Sequence, residues 1–362
     1  MVVPPRTAFS AFLDACRPAV SPPKAMGMTI PGNAGTSRGS YHAGMHCRDG
    51  GEGKSVSRRD TVEDLEVRAY AKVNLGLDIL GRRDDGYHEI HSIFQCIELS
   101  DLISLHFSPG GRGAVRLQTD YPGVLGGADN LILRATRALN FAPGVNVRLQ
   151  KRIPVGGGLG GGSSDAAATL VALHAAGNPG HPGHPGSLRE IAAGLGADVP
   201  FFLEGGTAEI RGVGEIIEPL PPMSPYPVLL MVPPLACDTG AVYRHHDALE
   251  VREGEASVPS VLEGMGSGDL GSALRCARNA LEPAALARYP ALRAYADHFR
   301  ARVRRPVLMS GSGSTFFAVY EDCEEMAWDL RRLRWEFAFR GARLLATHFR
   351  SGPGWNIRDA RG

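Results

Sequence analysis

The stretch PVGGGLGGGSSDAAATL, residues 154–170, puts six glycines into the seven positions 156–162 and runs straight into a helical pattern. Glycine gives up more conformational freedom on folding than any other residue. A block this dense is kept where the backbone must approach something closely or take up positive φ repeatedly. Backbone N–H groups bared at a helix N-terminus, reinforced by the aligned peptide dipoles, form an anion site, and phosphate is the natural guest. Pro154, Val155, Gly156, Gly157, Gly158, Leu159, Gly160, Gly161, Gly162, Ser163 and Ser164 are therefore the candidate phosphate cradle. Ser163 and Ser164 serve as helix caps, as hydroxyl donors to phosphate or hydrated Mg²⁺, or as both. The block contains a GxGxxG (Gly156, Gly158, Gly161), but Pro and His rather than a ribose-binding acid follow at the expected distance, and no lysine follows the last glycine. Both the dinucleotide fingerprint and the Walker A loop are thereby disfavoured.

Phosphoryl transfer also needs an oriented nucleophile, positive charge for the developing oxyanions and, in some sites, a base. In YAKVNLGL, Lys72 and Asn74 share one face of a predicted strand, because residues i and i+2 point the same way. Lys72 reads either as a phosphate-facing cation or as an edge-strand solubility lysine. In LGADVPFFL, Asp198 falls between a helix end and an apolar run read as strand, where partial desolvation would suit a proton acceptor and a turn cap is the alternative.

These residues need elements to hold them. The 362-residue chain is 43% hydrophobic and 21% charged, with a formal net charge of +1, the balance of a globular protein with no global field for a polyanion. The basic run from Arg300 to Arg305 reads as a solvated helix end. Neither a nucleic-acid nor a membrane partner is expected. Cys16, Cys47, Cys96, Cys237, Cys276 and Cys323 lack CxxC spacing, against a zinc site or disulfide framework. Residues 1–64 are acid-poor and rich in Gly, Pro, Ser and Arg, read as a disordered leader: a dispensable tail of a cytoplasmic protein, or a transit peptide to the plastid stroma. Strands are expected in EVRAYAKVNLGLDIL, SIFQCIEL, LISLHF and VNVRLQKRIPV, and helices from Asp129 and over Ser163–Ala176. Ser187 and Glu190 have capping-box spacing. His181 and His184, in a Pro/Gly loop, are read as loop decoration rather than metal ligands. The Pro-rich PLPPMSPYP marks a joint, giving domains at 65–222 and 223–350 and a tail at 351–362. Strands and helices intermix in both halves, which predicts an α+β class.

The glycine block resembles the central phosphate loop of the GHMP kinase superfamily, and AYAKVNLGL (69–77) and LMSGSGSTFFAV (308–319) resemble its first and third motifs. The resemblance implies a two-domain fold, an N-terminal ribosomal-protein-like α+β domain and a C-terminal ferredoxin-like α+β domain, with ATP as phosphoryl donor and Mg²⁺ accompanying it. Together, AKVNLGLDILGRRDDGYHEI, GGGLGGGSSDAA and LGADVPFF resemble the branch of that superfamily whose alcohol substrate is carried on cytidine diphosphate. That branch implies Asp198 and Lys72 as the catalytic pair, the first drawing the hydroxyl proton and the second orienting the hydroxyl. It further implies that Tyr87 and His88 hold the cytosine, that Asn74 touches substrate, and that Tyr243 is either a second aromatic against the base or ordinary packing. Gly311, Ser312, Gly313 and Ser314 would close over the phosphates. The protein would be a monomer or homodimer, and its metal ligands are left open. Asp165 stands where some relatives carry Asn, which puts an acid near the cradle. Two rival readings are another GHMP kinase with a different alcohol, and an RNA-binding module sharing the N-terminal architecture.

Overall fold

The computed structural model describes residues 64–108, 114–121, 127, 129–139, 141, 144–176, 187–249 and 256–359, within the unit Val62–Gly362. The leader and the loop carrying His181 and His184 lie outside these residues. Two long antiparallel strands, β1 (Leu65–Arg82) and β2 (His88–Ser108), form the spine of the first sheet. Their register shifts between Tyr70 and Ala71, between Asn74 and Gly76, and between Ile79 and Gly81. Such irregularities re-aim side chains, and one lies beside Asn74. β3 (Val115–Thr119), β4 (Gly144–Gln150), β5 (Thr207–Gly212) and β6 (Ile216–Pro219) extend this sheet, with β3 and β4 its parallel pair. A second, antiparallel sheet takes β7 (Pro227–Val232), β8 (Val307–Met309), β9 (Phe316–Val319) and β10 (Arg343–His348), in the order β10-β7-β9-β8. β11 (Trp355–Asp359) returns to the first sheet and pairs with β1, so the segment read as a tail contributes an edge strand.

β1 is buried almost continuously from Ala69 to Ile79, with no inside–outside alternation. The reason is cover on both faces. Helix α2 (Gly161–Ala175) packs against the strand, and one apolar core joins Val73, Leu75 and Ile93 of the first sheet to Val228, Leu230 and Phe317 of the second. Burial of a Val, Leu, Ile or Phe side chain contributes roughly 1.5–3 kcal/mol, so this shared core fixes the two sheets, and the motifs they carry, against each other.

Helix α1 (Leu131–Ala138) is capped by Asn130, whose side chain accepts from Ile132 N, one residue later than the Asp129 cap expected. α2 starts two residues before Ser163, from Gly160 in the left-handed conformation with no side-chain cap. α3 (Leu188–Leu195) carries the capping box of Ser187 and Glu190. The apolar run after Asp198 is a short helix, α4 (Val199–Glu204), not a strand, and the strand begins only at Thr207. Proline is well suited to a first helical turn, and a brief apolar run without alternation does not distinguish the two states. The second half adds α5 (Thr239–Ala248), α6 (Val258–Gly266), α7 (Leu270–Cys276), α8 (Glu282–Arg288), α9 (Pro290–Arg300) and α10 (Cys323–Phe339). The basic run ending α9 is paired: Arg300 with Glu282, Arg302 with Glu336, and Arg305 with Glu321 and Glu325. No helix among the described residues is long and apolar enough to cross a membrane.

Candidate active site

A cleft of about 780 Å³ runs between the glycine block and the tip of the β1–β2 hairpin. Its floor is the block itself. Gly156, Gly158 and Gly160 all take positive φ, near 70°, with their neighbours between them, and this alternation forms a concave run of backbone amides leading into α2. The density of glycine has a second cause that the sequence does not display. A Cβ on Gly158 would collide with the Ser310 carbonyl, and one on Gly160 would lie 2.7 Å from the Phe202 ring. Much of the something against which this backbone lies is thus protein. Gly162 differs: the nearest atom to its added Cβ is Leu131 Cδ1 at 3.6 Å, and the residue is exposed. Pro154 through Ser163 line the cleft. Ser164 does not: its hydroxyl is buried and donates to the Tyr70 carbonyl at 2.6 Å, holding α2 to β1 rather than facing a phosphate.

The third motif is docked on the first two. Ser310 Oγ donates to the Gly158 carbonyl at 2.9 Å, and Gly311 N donates to Asn74 Oδ1 at 2.9 Å. Gly311 and Ser312 reach the cleft wall, while Gly313 and Ser314 turn away. Ser314 Oγ donates to the Leu235 carbonyl, and a Cβ on Gly313 would meet Met309 Sδ at 2.9 Å, so these two shape the turn. Asn279, which sequence reasoning missed, donates to the carbonyls of Met309 and Gly311 and fixes the motif from below. Its signal is a lone asparagine ahead of an apolar helix start, where its Oδ1 accepts from Leu281 N.

Lys72 and Asn74 do share a face. Lys72 Nζ donates to Asn74 Oδ1 at 2.7 Å, lies 3.7 Å from Asp198 Oδ2 and sits 4.2 Å above the Phe94 ring. Burial pulls the Lys72 ammonium below its ordinary pKa, and the Asp198 charge opposes that shift. Asn74 spends its carbonyl on two donors and its amide on Ser92 Oγ, so it couples the lysine to the third motif as well as lining the cleft. Asp198 caps α4 by position without a side-chain cap bond and keeps 32% of its side chain exposed to the cleft.

At the other end, Tyr87 is 65% exposed, its N–H held by Asp85 Oδ1. His88 lies against Tyr243 of α5, with ring centroids 4.9 Å apart and planes tilted by 34°. Tyr243 therefore belongs to the cleft wall, and burial together with the Asp198 charge pushes its phenol up to about 12. Asp165 lies beside the cradle, among the residues lining the cleft, and is paired with Lys151, 2.8 Å away, which also lines the cleft and contacts Asp101 at 2.5 Å. One ammonium faces two buried carboxylates. Asp101 also accepts from the backbone N–H groups of Arg152 and Ile153. Asp165 is the weaker-held acid, and burial pushes it up to about 8 despite Lys151.

A glycine cradle at a helix start, a second glycine turn packed on it and a buried ammonium beside a carboxylate define a small-molecule kinase of the GHMP type. The sequence profile described as "GHMP kinases N terminal domain" matches residues 130–206. A protein of Pelotomaculum thermopropionicum called 4-diphosphocytidyl-2-C-methyl-D-erythritol kinase is 41% identical over 265 residues, 72% of this chain and 90% of its own length. Its namesake in Thermoanaerobacter pseudethanolicus is 36% identical, covering 77% of this chain and 95% of its own. A crystal structure of 4-(cytidine 5'-diphospho)-2C-methyl-D-erythritol kinase superposes with a TM-score of 0.63 at 38% identity, over 79% of this chain and all of that one. The chain belongs to the 4-diphosphocytidyl-2-C-methyl-D-erythritol kinase family.

Proposed function

We propose that this protein transfers the γ-phosphate of ATP to the 2-hydroxyl of 4-diphosphocytidyl-2-C-methyl-D-erythritol, a step of the non-mevalonate route to isoprenoid precursors. The observation that carries the reading is the 3.7 Å approach of Lys72 to Asp198 midway along a cleft with a backbone anion cradle at one end and stacked aromatic rings at the other. Such a cleft suits one substrate with a triphosphate and another with a nucleobase, and the reacting pair lies between them.

In this reading the substrate hydroxyl oxygen attacks the γ-phosphorus, the bond to the ADP oxygen breaks, and the hydroxyl proton passes to the Asp198 carboxylate. Lys72 Nζ, tethered by Asn74, orients the hydroxyl and offsets charge on the transferring oxygens. The amides of residues 156–162 hold the phosphates, and Ser163 is the cradle hydroxyl left facing the cleft. When bound with ATP, Mg²⁺ would offset phosphate charge, and the Ser163 hydroxyl is the cradle group that would meet its hydration shell or a phosphate. Tyr87 stacks on the cytosine, Tyr243 forms the opposite wall, and the edge of the His88 imidazole hydrogen-bonds the base.

The test is ADP release by the purified chain across a panel of alcohols. Turnover with the cytidyl-methylerythritol compound, and none with mevalonate or homoserine, is expected. Turnover confined to one of the latter would overturn the reading.

A further inference from the structure

His88 is the first residue of β2 and pairs in register with Arg82, the last of β1, so the two sit at the hairpin tip. α5 crosses this tip. Its residues Tyr243 and Asp247, one turn apart, face the hairpin together: Tyr243 packs on the His88 ring, and Asp247 Oδ1 lies 2.5 Å from His88 Nε2. The other carboxylate oxygen of Asp247 is 3.6 Å from Arg82 Nη1. His246 brings a third ligand-type atom within 4.8 Å of this pair. A cation placed there, however, would sit against the Arg82 guanidinium, so the contact is read as a hydrogen bond rather than as part of a metal site.

An ionised carboxylate only accepts hydrogen bonds. Asp247 therefore holds a proton on His88 Nε2, and in the neutral ring Nδ1 is then left with a lone pair as an acceptor. Cytosine and uracil differ at position 4, where cytosine offers an amino donor and uracil a carbonyl acceptor. An acceptor held fixed in front of that position matches the first and opposes the second. We propose that Asp247 is a positioning residue that sets the base preference of the site by fixing the His88 tautomer, favouring a cytidine over a uridine diphosphate substrate. The proposal rests on the function given above, and it gives the discrimination to a residue outside the reacting pair.

The experiment compares kcat and KM for the cytidine substrate and its uridine counterpart in the wild type and in Asp247→Asn. Asparagine keeps the shape of the side chain, but it accepts from Nε2–H or donates to a bare Nε2, so both tautomers become available. The expected wild-type preference for cytidine in kcat/KM is about 100-fold or more, as for sites that reject an analogue by leaving a polar group mismatched. In the variant that ratio narrows at least tenfold, through a higher KM for cytidine and better use of uridine, with kcat for the cytidine substrate within about twofold. In parallel, long-range ¹H–¹⁵N spectra of the histidine-labelled full chain, with His88 assigned through His88→Gln, report the tautomer without any turnover. The Nε2–H form is expected in the wild type and a mixture in Asp247→Asn. An unchanged cytidine-to-uridine ratio in an active variant, or an Nδ1–H tautomer in the wild type, overturns the role of Asp247. A wild type that turns over neither nucleotide sinks the functional reading instead, and the two failures are thereby separable.

Discussion

The two ends of the cleft are built by opposite means. The phosphate end is made of backbone: its shape comes from left-handed glycines clamped between the third motif and Phe202, and each clamp is a contact of protein with protein. The base end is made of side chains on a hairpin tip and one helix, with Tyr87 mostly exposed and His88 held between the Asp247 carboxylate and the Tyr243 ring of that helix. Backbone geometry held from several sides tolerates almost no substitution. Side-chain geometry held from one side can be retuned by one residue. In the proposed function this division has a use: the over-determined end would take the phosphates of a common donor, and the end open to change would take the acceptor.

Substitutions can break or sharpen this contrast. The largest effect belongs to the junction of the two ends, where Asp198→Asn is expected to lower kcat by about 10²–10⁴-fold while leaving ATP affinity within a few-fold. Quench-flow kinetics with nucleotide-binding titrations measure both, and near-normal turnover would remove Asp198 as the base.

Next comes Gly158→Ala, which combines about 1–2 kcal/mol of left-handed strain with a backbone collision at Ser310. A loss of several kcal/mol in thermal or denaturant unfolding is expected. Gly162→Ala is the contrasting variant: its methyl meets nothing closer than 3.6 Å, so stability should hold while any rise in KM for ATP reports close approach of the phosphates. Equal stability losses in the two would contradict the claim that protein contacts, not the ligand alone, fix the loop.

At the base end, Tyr87→Ala should weaken the cytidine substrate by about 1–3 kcal/mol, as for other aromatic–base contacts, with the melting temperature unmoved because the ring is exposed. Calorimetric binding and a melting curve decide it.

The smallest effect is expected beside the cradle. Asp165 has its carboxyl raised from 3.8 to about 8 in the folded protein, so the native state binds more protons than the unfolded chain between these values. Folding stability from this group therefore falls as pH rises from about 4 to about 8. Asp165 Oδ1 has no hydrogen-bond partner among the described residues, and Asp165→Asn removes the excess charge while leaving the Lys151–Asp101 pair. The variant should match wild type near pH 4 and exceed it by a margin that grows as pH rises towards 8 and levels off above it, read from melting temperatures across that range. A constant difference at all pH values would rule out the titration.

Much of the cleft was legible in the sequence because its chemistry lies in contiguous stretches. The six glycines, the Lys72–Asn74 spacing and the Tyr87–His88 turn each sit within one element, and local rules apply there. Asn279, Asp247 and Ser310 were not legible, because each acts through a contact across more than 150 residues or between elements that meet only after the two sheets share a core. Ser164 was misjudged for the same reason: its type suits a phosphate, but the partner that claims its hydroxyl is the Tyr70 carbonyl, 94 residues away. The fold was readable where periodicity was long. It failed at α4, six residues that fit a strand or a helix equally well, and at β11, whose role depends on the exposed edge of β1.

The most direct measurement is a crystal structure of the full chain with a nonhydrolysable ATP analogue and the cytidyl-methylerythritol substrate. The 2-hydroxyl is expected within hydrogen-bonding reach of Asp198, about 2.6–3.2 Å, in line with the terminal phosphorus, with the triphosphate on the amides of residues 156–162 and the cytosine against Tyr87. A hydroxyl lying nearer another acid, or a triphosphate bound outside the glycine cradle, would contradict it.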